Sequence, residues 1–245
     1  MSASCFSSGH RRFTLAHELG HCCIDGHAEE LFALGNELHY SEGLVGTRRD
    51  PLEVEADTFA AELLMPGAPT KMVAAELRPG LGMIRAVACD ADVSLSSAAI
   101  RACELIDDPF AVVLTLNGIV QWAVLSGGMR DHGWARRSFK EVSAPPDSAT
   151  VRLTKHRARV AERESESDTV LLSDWFPGAP CVWADEEALG LGDYGMVLSV
   201  ITPQCLPSGD LVEHQRRQAE HAPRDWRAAL RSYEWDDPDA PDNGG

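Results

Sequence analysis

Apolar residues recur at helical spacing through the first hundred residues and in short, β-branched runs after them. Intervals of three and four between apolar positions predict helices over 12–25, 51–65, 68–77, 80–88 and 94–107. Short apolar runs between Pro- and Gly-containing turns predict strands over 149–154, 168–173, 180–184 and 195–202. The pattern therefore predicts an α+β fold that changes from helices to strands near residues 107–109.

The clearest strand signal opens the second half of the chain. Residues 110–125, "FAVVLTLNGIVQWAVL", form two apolar runs joined by Asn117 and Gly118. Asn-Gly favours the type I′ turn of a two-residue hairpin, because both positions need positive φ. We therefore expect an antiparallel hairpin here.

Composition narrows the classes of function. The formal charge of −16 over 245 residues argues against a large nucleic-acid interface, since phosphate binding needs clustered Lys and Arg. Apolar runs stay well short of the roughly 20 residues that cross a membrane, and the first residues lack the apolar stretch of a secretory signal. Seven irregularly spaced cysteines are typical of reduced thiols. We therefore expect a cytoplasmic protein.

One segment departs from the acidic trend. Residues 130–163 carry nine Lys or Arg against four Asp or Glu. Such a segment is either a solvated face or a docking patch for an acidic partner. The pattern leaves both interpretations open.

Candidate metal chemistry lies in the first helix, where residues 17–21 read HELGH. Positions i and i+4 of a helix share a face, so His17 and His21 can direct their imidazoles at one ion. Glu18 is turned about 100° from His17, where it can reach a water on the metal but not act as a third ligand. Two surface histidines on an amphipathic helix would have the same sequence. A third ligand is therefore needed to distinguish a metal site from such a helix.

The residues around the motif suit a closely packed helix. Gly20 leaves room for another backbone to approach, and Gly26 is a candidate helix end. Cys22 and Cys23 are interpreted as buried small apolar residues rather than ligands.

The third ligand has several candidates. His27 lies ten residues after His17, the offset used by HExxHxxGxxH enzymes, but Ile24 occupies the position where those enzymes need glycine. In the helix predicted over 51–65, Glu53 and Asp57 share a face. Glu53 can ligate while Asp57 accepts the outer N–H of a ligand histidine. Glu55 is the alternative ligand on that helix.

Two blocks together resemble the ImmA/IrrE family of zinc metallopeptidases: "RRFTLAHELGH" (11–21) and "EVEADTFAAELLMP" (53–66). The resemblance implies a zinc cofactor held by His17, His21 and Glu53, with Glu18 as the general base. Asp57 matches the Asn/Asp position of the second block. The implied activity is cleavage of a protein substrate, a helix-turn-helix transcriptional repressor, in stress response or mobile-element regulation.

The resemblance also implies a domain organisation. Residues 1–78 correspond to a zincin-like metallopeptidase domain and 79–108 to a helix-turn-helix-like unit that contains "MIRAVACDADVSLSSAAIRACELI" (83–106). Residues 109–235 correspond to a β-containing, GAF-like sensory domain with the family-like stretch "EEALGLGDYGMVLSVITP" (186–203). The composition, rather than the resemblance, predicts a disordered acidic tail over 236–245, where no apolar residue is larger than Ala. Relatives carry several dozen residues before HExxH, against sixteen here. We therefore expect a reduced upper wall of the cleft, a truncated start or dependence on a partner.

Two other functions compete with the peptidase. The chain could be a DNA-binding regulator with a structural zinc, although the recognition segment 94–106 carries Arg101 as its one basic residue and Glu104 opposes it. It could also be a sensory or toxin–antitoxin-like module in which the zincin half is degenerate. Salt-dependent DNA retention that survives Glu18→Gln would favour the DNA-binding regulator. Stoichiometric zinc with no cleavage of a co-encoded repressor would favour the sensory or toxin–antitoxin-like module.

Overall fold

Helices make up the first half of the described chain. The structure, a computed structural model, describes residues 4–27, 29, 50–130 and 142–206, all within one compact unit that spans Met1–Leu206. The leading helices in these residues are α1 (Ser4–Cys23), α2 (Pro51–Leu64), α3 (Gly67–Ala75), α4 (Leu81–Ala91) and α5 (Leu95–Leu105). The helical half of the sequence prediction is thereby confirmed.

Side chains cap the N-terminal ends of α2 and α5. The Asp50 side chain accepts a hydrogen bond from the Leu52 amide at 3.1 Å, and Pro51 occupies the first turn. Ser94 accepts from the Ser97 amide at 3.0 Å and starts α5. Only residues 92–94 separate α4 from α5, so the expected helix, short turn and second helix are present.

The second half forms an antiparallel sheet with short helices between its strands. The strands are β1 (Ala111–Leu116), β2 (Ile119–Leu125), β3 (Ser165–Leu171), β4 (Trp183–Gly190) and β5 (Met196–Pro203). The short helices are α6 (Gly127–Arg130), α7 (Ala149–Thr154), α8 (Arg157–Ala161) and α9 (Leu172–Trp175). The strand order is β2-β1-β5-β4-β3 and every pairing is antiparallel. The fold is α+β, as predicted.

The predicted hairpin is confirmed. Strands β1 and β2 pair directly, and the φ angles of Asn117 and Gly118 are 51° and 80°. Both central residues are therefore in the left-handed region that a type I′ turn requires. A register shift between Leu114 and Thr115 leaves Gln121 of β2 without a partner on β1, so the bulge lies in β2.

Helices cover both faces of this sheet. On one face, α4 and α5 share a hydrophobic core with β1, β4 and β5 that includes Ile84, Ala98, Val112, Leu189 and Leu198. On the other face, α7 and α8 pack against β4 and β5 through Ala149, Leu153, Val160, Ala188 and Val197. The helices before residue 107 and the sheet after it therefore share a core. The division of the chain into units ending at 78, 108 and 235 stays a prediction.

Two consecutive glutamates of β4 hold helices on opposite faces of the sheet. Glu186 is fully buried and accepts hydrogen bonds from the Ala149 and Thr150 amides, at 3.1 and 2.9 Å, at the start of α7. Glu187 accepts from the Leu81 amide at 2.6 Å, at the start of α4. Because successive strand residues face opposite sides, β4 links both helical layers.

The strand predicted over 149–154 is wrong, because these residues form α7. Ser148 caps the helix by accepting from the Val151 amide at 3.2 Å, and the Glu186 carboxylate accepts from its first two amides. These tertiary hydrogen bonds override the β-branched character of "TVRLT". Of the other strands, β3 and β4 are displaced from the predicted 168–173 and 180–184, and β5 follows the predicted 195–202 closely.

Several basic residues have partners within the chain. Arg152 contacts Glu166 and Asp168 of β3, and Arg159 contacts Glu164 and Glu166. The acids of β3 therefore pair with two of the nine basic residues in segment 130–163. Arg136, Arg137 and Lys140 of that segment, and the predicted acidic tail 236–245, lie outside the described residues.

Arg101, the basic residue of segment 94–106, is buried. Its Nε donates to the Met65 carbonyl oxygen at 3.0 Å, and the guanidinium pairs with Glu62 and Glu104. Its hydrogen bonds therefore tie α5 to the end of α2.

Among the described residues, no helix is both long and apolar enough to cross a membrane.

Candidate metal centre

The backbone of α1 lies close to α2 at Gly20. A Cβ atom at this position would lie 3.2 Å from both the Ala56 Cα and the Phe59 Cδ1. Ala56 and Ala60 are fully buried, so small residues line α2 where α1 approaches. The close approach expected at Gly20 is confirmed, and it brings the HELGH turn next to Glu53.

His17, His21 and Glu53 converge at this helix pair. The Nε2 atoms of the two histidines lie 3.1 Å apart. Glu53 places Oε2 3.3 Å from the His17 Nε2 and Oε1 3.5 Å from the His21 Nε2. Among the described residues, these three make up the group whose ligand atoms lie close enough together to hold a metal ion.

Asp57 contacts the Nδ1 atom of His17, on the side of the ring that faces away from Glu53. Its Oδ1 lies 3.0 Å from the His17 Nδ1, so the ring donates Nδ1–H and leaves Nε2 towards Glu53. This hydrogen bond is the main cause that raises the pKa of His17, and burial opposes it. Asp57 therefore makes Nε2 of His17 a strong base that binds either a proton or a metal ion.

His21 has a different outer partner. Its Nδ1 lies 3.1 Å from the Nδ1 of His27, and the His27 Nε2 lies 3.1 Å from the Glu55 Oε2. Burial lowers the pKa of His21, and the neighbouring His17 acts in the same direction. Both effects favour the neutral form of His21, which is the form in which an imidazole binds a metal ion.

The donor set fits a divalent metal ion. Two imidazoles and a carboxylate with one open position are the ligands of catalytic zinc sites. A tetrahedral site with metal–ligand bonds of about 2.0–2.1 Å has ligand atoms roughly 3.3–3.4 Å apart. The two Nε2 atoms lie 3.1 Å apart, and the two different oxygens of Glu53 lie 3.3 and 3.5 Å from them, near that value. With one ligand atom taken from each residue, the three atoms lie within 4.8 Å of one another, so the three side chains are close enough together to hold a metal ion.

The comparison with protein families agrees with this geometry. Residues 3–102 match the peptidase M78 model, described as the IrrE N-terminal-like domain. This segment belongs to that family. The match runs from α1 to near the end of α5 and confirms the resemblance to ImmA/IrrE proteins. No curated protein matches the chain.

Peptidase M78 is a metallopeptidase family, so the M78 segment carries a metallopeptidase-like domain. Glu18, next to His17, is exposed. The Asp57 hydrogen bond is the largest effect on the pKa of His17 and raises it, and burial is the largest effect on the pKa of His21 and lowers it. The negative charge of Glu18 adds a smaller upward effect on the pKa of each ring. Glu18 is therefore near enough to interact electrostatically with both rings.

Two alternative ligand candidates of the M78 segment lie outside the group formed by His17, His21 and Glu53. Glu55, the alternative ligand, contacts His27 rather than the two ligand candidates. His27, the weak candidate for a third ligand, is 1 % exposed and lies behind His21. Its offset from His17 drew attention to it, but nothing in the sequence indicated an imidazole partner.

The interpretation of Cys22 and Cys23 was wrong. Both thiols are exposed rather than buried. They directly follow His21 on α1, and the face of the helix that carries them turns away from the contact with α2. The metal-ligating group defined by the described residues does not include them.

Proposed function

We propose that this chain is a zinc-dependent endopeptidase that cleaves one specific protein partner. His17, His21 and Glu53 are the zinc ligands, Glu18 is the general base, and Asp57 orients His17. The observation that carries the proposal is the convergence of the two Nε2 atoms and the Glu53 carboxylate within 3.5 Å of one another.

The donor set also favours a transition metal such as zinc over magnesium or calcium. Imidazole suits zinc, copper, iron and nickel, whereas magnesium and calcium prefer sites built from oxygen alone. A small, closed triangle of two nitrogens and a carboxylate leaves the fourth tetrahedral position open, as a hydrolytic site requires. Zinc at such a site lowers the pKa of water towards neutrality and polarises a peptide carbonyl.

Asp57 and Glu18 would then have separate roles in the reaction. Asp57 keeps His17 in the tautomer that presents Nε2 to the site. Glu18, exposed beside His17, takes a proton from the attacking water and returns it to the leaving amine. A group that does both needs access to water and substrate, which the exposed position of Glu18 provides.

The test separates the ligands from the base. We expect Glu18→Gln to keep one zinc per chain, measured by atomic absorption, and to lose about 10²–10⁴-fold in cleavage rate. His17→Ala, His21→Ala and Glu53→Ala should lose the metal. Glu76→Gln, at an exposed glutamate beyond the end of α3, is the matched control and should change neither. Loss of zinc in Glu18→Gln would contradict the assigned role.

The substrate in this proposal is a helix-turn-helix repressor that controls stress-response or mobile-element genes. Its support is the family match over residues 3–102, and the chain acts on the repressor without needing DNA. Purified repressor encoded beside this chain is the substrate to use, with zinc present and single-site cleavage read on a gel. An intact repressor after prolonged incubation with zinc-loaded protein would contradict the proposal and favour a sensory module with an inactive zincin half.

The same proposal extends to the rest of the chain. We assign residues 1–78 to a zincin-like domain and the helix-flanked sheet to a GAF-like sensory module. We place the protein in the cytoplasm, where the free thiols found at Cys22, Cys23, Cys89, Cys103, Cys181 and Cys205 are stable. Helices α4 and α5 share a hydrophobic core with the sheet. In this proposal, a signal sensed in the sheet reaches the helices through that core.

A further inference from the structure

A buried chain of hydrogen bonds lies behind the candidate metal centre. It runs from the His21 Nδ1 to the His27 Nδ1 over 3.1 Å, and from the His27 Nε2 to the Glu55 Oε2 over 3.1 Å. His27 is 1 % exposed, whereas Glu55 is 59 % exposed. The chain therefore connects a buried ring of the site to a carboxylate at the protein surface.

The chemistry of the three groups fixes where the protons lie. A carboxylate accepts hydrogen bonds and does not donate them, so the His27 Nε2 carries the hydrogen that it shares with Glu55. A neutral imidazole has one N–H, so the His27 Nδ1 is then an acceptor. The His21 Nδ1 must therefore donate, which leaves the lone pair of the His21 Nε2 facing His17 and Glu53.

We propose that His27, held by Glu55, is a positioning residue that fixes the tautomer and ring orientation of His21 for metal binding. This inference rests on the proposed function, in which His21 is a ligand. It assigns to His27 and Glu55 the task that Asp57 performs for His17, with an imidazole inserted between the ligand and the carboxylate.

Burial explains why His27 itself must supply this hydrogen bond. With its side chain enclosed, little space is left in which water could replace the ring as acceptor for the His21 Nδ1–H. Its own orientation depends on the second hydrogen bond, because rotation of the ring would exchange donor and acceptor. The hydrogen bond from the His27 Nε2 to Glu55 prevents this rotation.

The first experiment reads the tautomer in metal-free protein. Long-range ¹H–¹⁵N spectra distinguish a ring nitrogen that carries hydrogen from one that does not. We expect His21 in the wild type to show a protonated Nδ1 and a bare Nε2. In His27→Phe, which keeps a ring of similar size and removes both hydrogen bonds, His21 should become a mixture of tautomers.

The second experiment measures zinc affinity by competition with a chromophoric chelator. Loss of an outer partner of a ligand histidine costs about 10–100-fold in metal affinity, and we expect a loss in this range for His27→Phe. His27→Gln offers an acceptor and a donor from one side chain and should recover most of the affinity. Glu55→Ala should lose less than His27→Phe, and the control Glu76→Ala should match the wild type.

The outcomes separate this inference from the proposed function. A protonated Nδ1 on His21 in a protein that binds no zinc would overturn the proposed function and leave the hydrogen-bond chain supported. A His21 that carries its hydrogen on Nε2 in the wild type would overturn the inference. Unchanged zinc affinity in both His27→Phe and Glu55→Ala would overturn it too. Circular dichroism of each variant verifies the fold, and the wild-type and Glu55→Ala measurements stand even if His27→Phe does not fold.

Discussion

The metal-centre helices and the sheet-bearing half hold together by different means. Between α1 and α2 the contact consists of small residues such as Ala56 and of hydrogen-bonded imidazoles and carboxylates, while Leu15 of α1 is 70 % exposed. Around the sheet, large side chains such as Phe110 and Leu198 are fully buried. The helix pair is thus organised around polar chemistry and the sheet around an apolar core.

The polar cluster can exist because the apolar core elsewhere in the molecule supplies the stability. Polar groups in a half-buried cluster gain little net free energy from their hydrogen bonds, about 1 kcal/mol each. Burial of apolar surface around the sheet is the larger favourable term. Changes in the two regions should therefore affect different measurements.

The largest effect is expected in the apolar core. Phe110→Ala should lower the free energy of unfolding by about 3–5 kcal/mol, because it removes a fully buried ring and leaves a cavity. Urea unfolding measures this, and the protein that remains folded should bind zinc with unchanged stoichiometry. The control Leu15→Ala, at an exposed position of α1, should stay within about 0.5 kcal/mol of the wild type. Zinc loss by fully folded Phe110→Ala would show that the two regions are not separable.

A second substitution should act on metal and spare the fold. Asp57→Asn keeps an acceptor for the His17 Nδ1–H but removes the charge, so the pKa of His17 falls and Nε2 becomes a weaker base. We expect about 10–100-fold weaker zinc binding, by chelator competition, with little change in the unfolding of metal-free protein. Asp90→Asn, at an exposed position of α4, is the control. Equal zinc affinities for Asp57→Asn and wild type would contradict the role of Asp57.

The sheet half should show a pH dependence of its own. Burial raises the pKa of Glu186, against the opposing hydrogen bonds from Thr150 and the Ala149 amide. The folded state therefore holds the proton more tightly than the unfolded chain. As pH rises from the ordinary glutamate pKa to the raised value, the free energy of unfolding falls, and above that it levels off.

Glu186→Gln isolates this contribution. The Gln side chain cannot ionise, so the stability of the wild type relative to the variant should decline with rising pH over the same window. Urea unfolding at a series of pH values measures the difference. A difference that grows with pH would mean that the hydrogen bonds to the carboxylate outweigh its burial.

The smallest effect is expected at Gly20. Alanine adds up to about 1 kcal/mol of helix propensity, but its methyl group would meet Ala56 and Phe59 at 3.2 Å. We expect a net change in unfolding free energy below about 1 kcal/mol and zinc binding a few-fold weaker as α1 moves from Glu53. Gly82→Ala on α4 has open space around the new methyl and should stabilise without altering zinc binding. Stabilisation with full zinc affinity in Gly20→Ala would show that the helix pair has room to adjust.

Sequence reasoning succeeded where one segment carries the whole signal. The helix predicted over 51–65 follows from apolar spacing, and the hairpin turn from Asn117 and Gly118, because each depends on neighbours in the chain. Helical spacing likewise put His17 and His21 on one face. Their convergence with Glu53 was predicted from two separate blocks, and the structure brings all three residues together.

Sequence reasoning failed where a distant partner decides the outcome. Residues 149–154 became a helix because Glu186, far along the chain, accepts hydrogen bonds from its first amides. His27 lies behind His21 because the chain turns at Gly26, where φ is +90°. Spacing along a helix describes contacts within one element and cannot reveal an imidazole that approaches from beyond its end.

The alignment of β4 is selected by Ala188 and Leu189 rather than by its carboxylates. If β4 slipped by one residue against its neighbours, every side chain would move to the other side of the sheet. In one direction of slip, Asp185 and Glu186 would take the places of Glu186 and Glu187 and would still present carboxylates to the amides of α7 and of Leu81. Ala188 and Leu189 would exchange faces, however, so a large side chain would enter the tight contact under α7 and leave the core beneath α4 and α5.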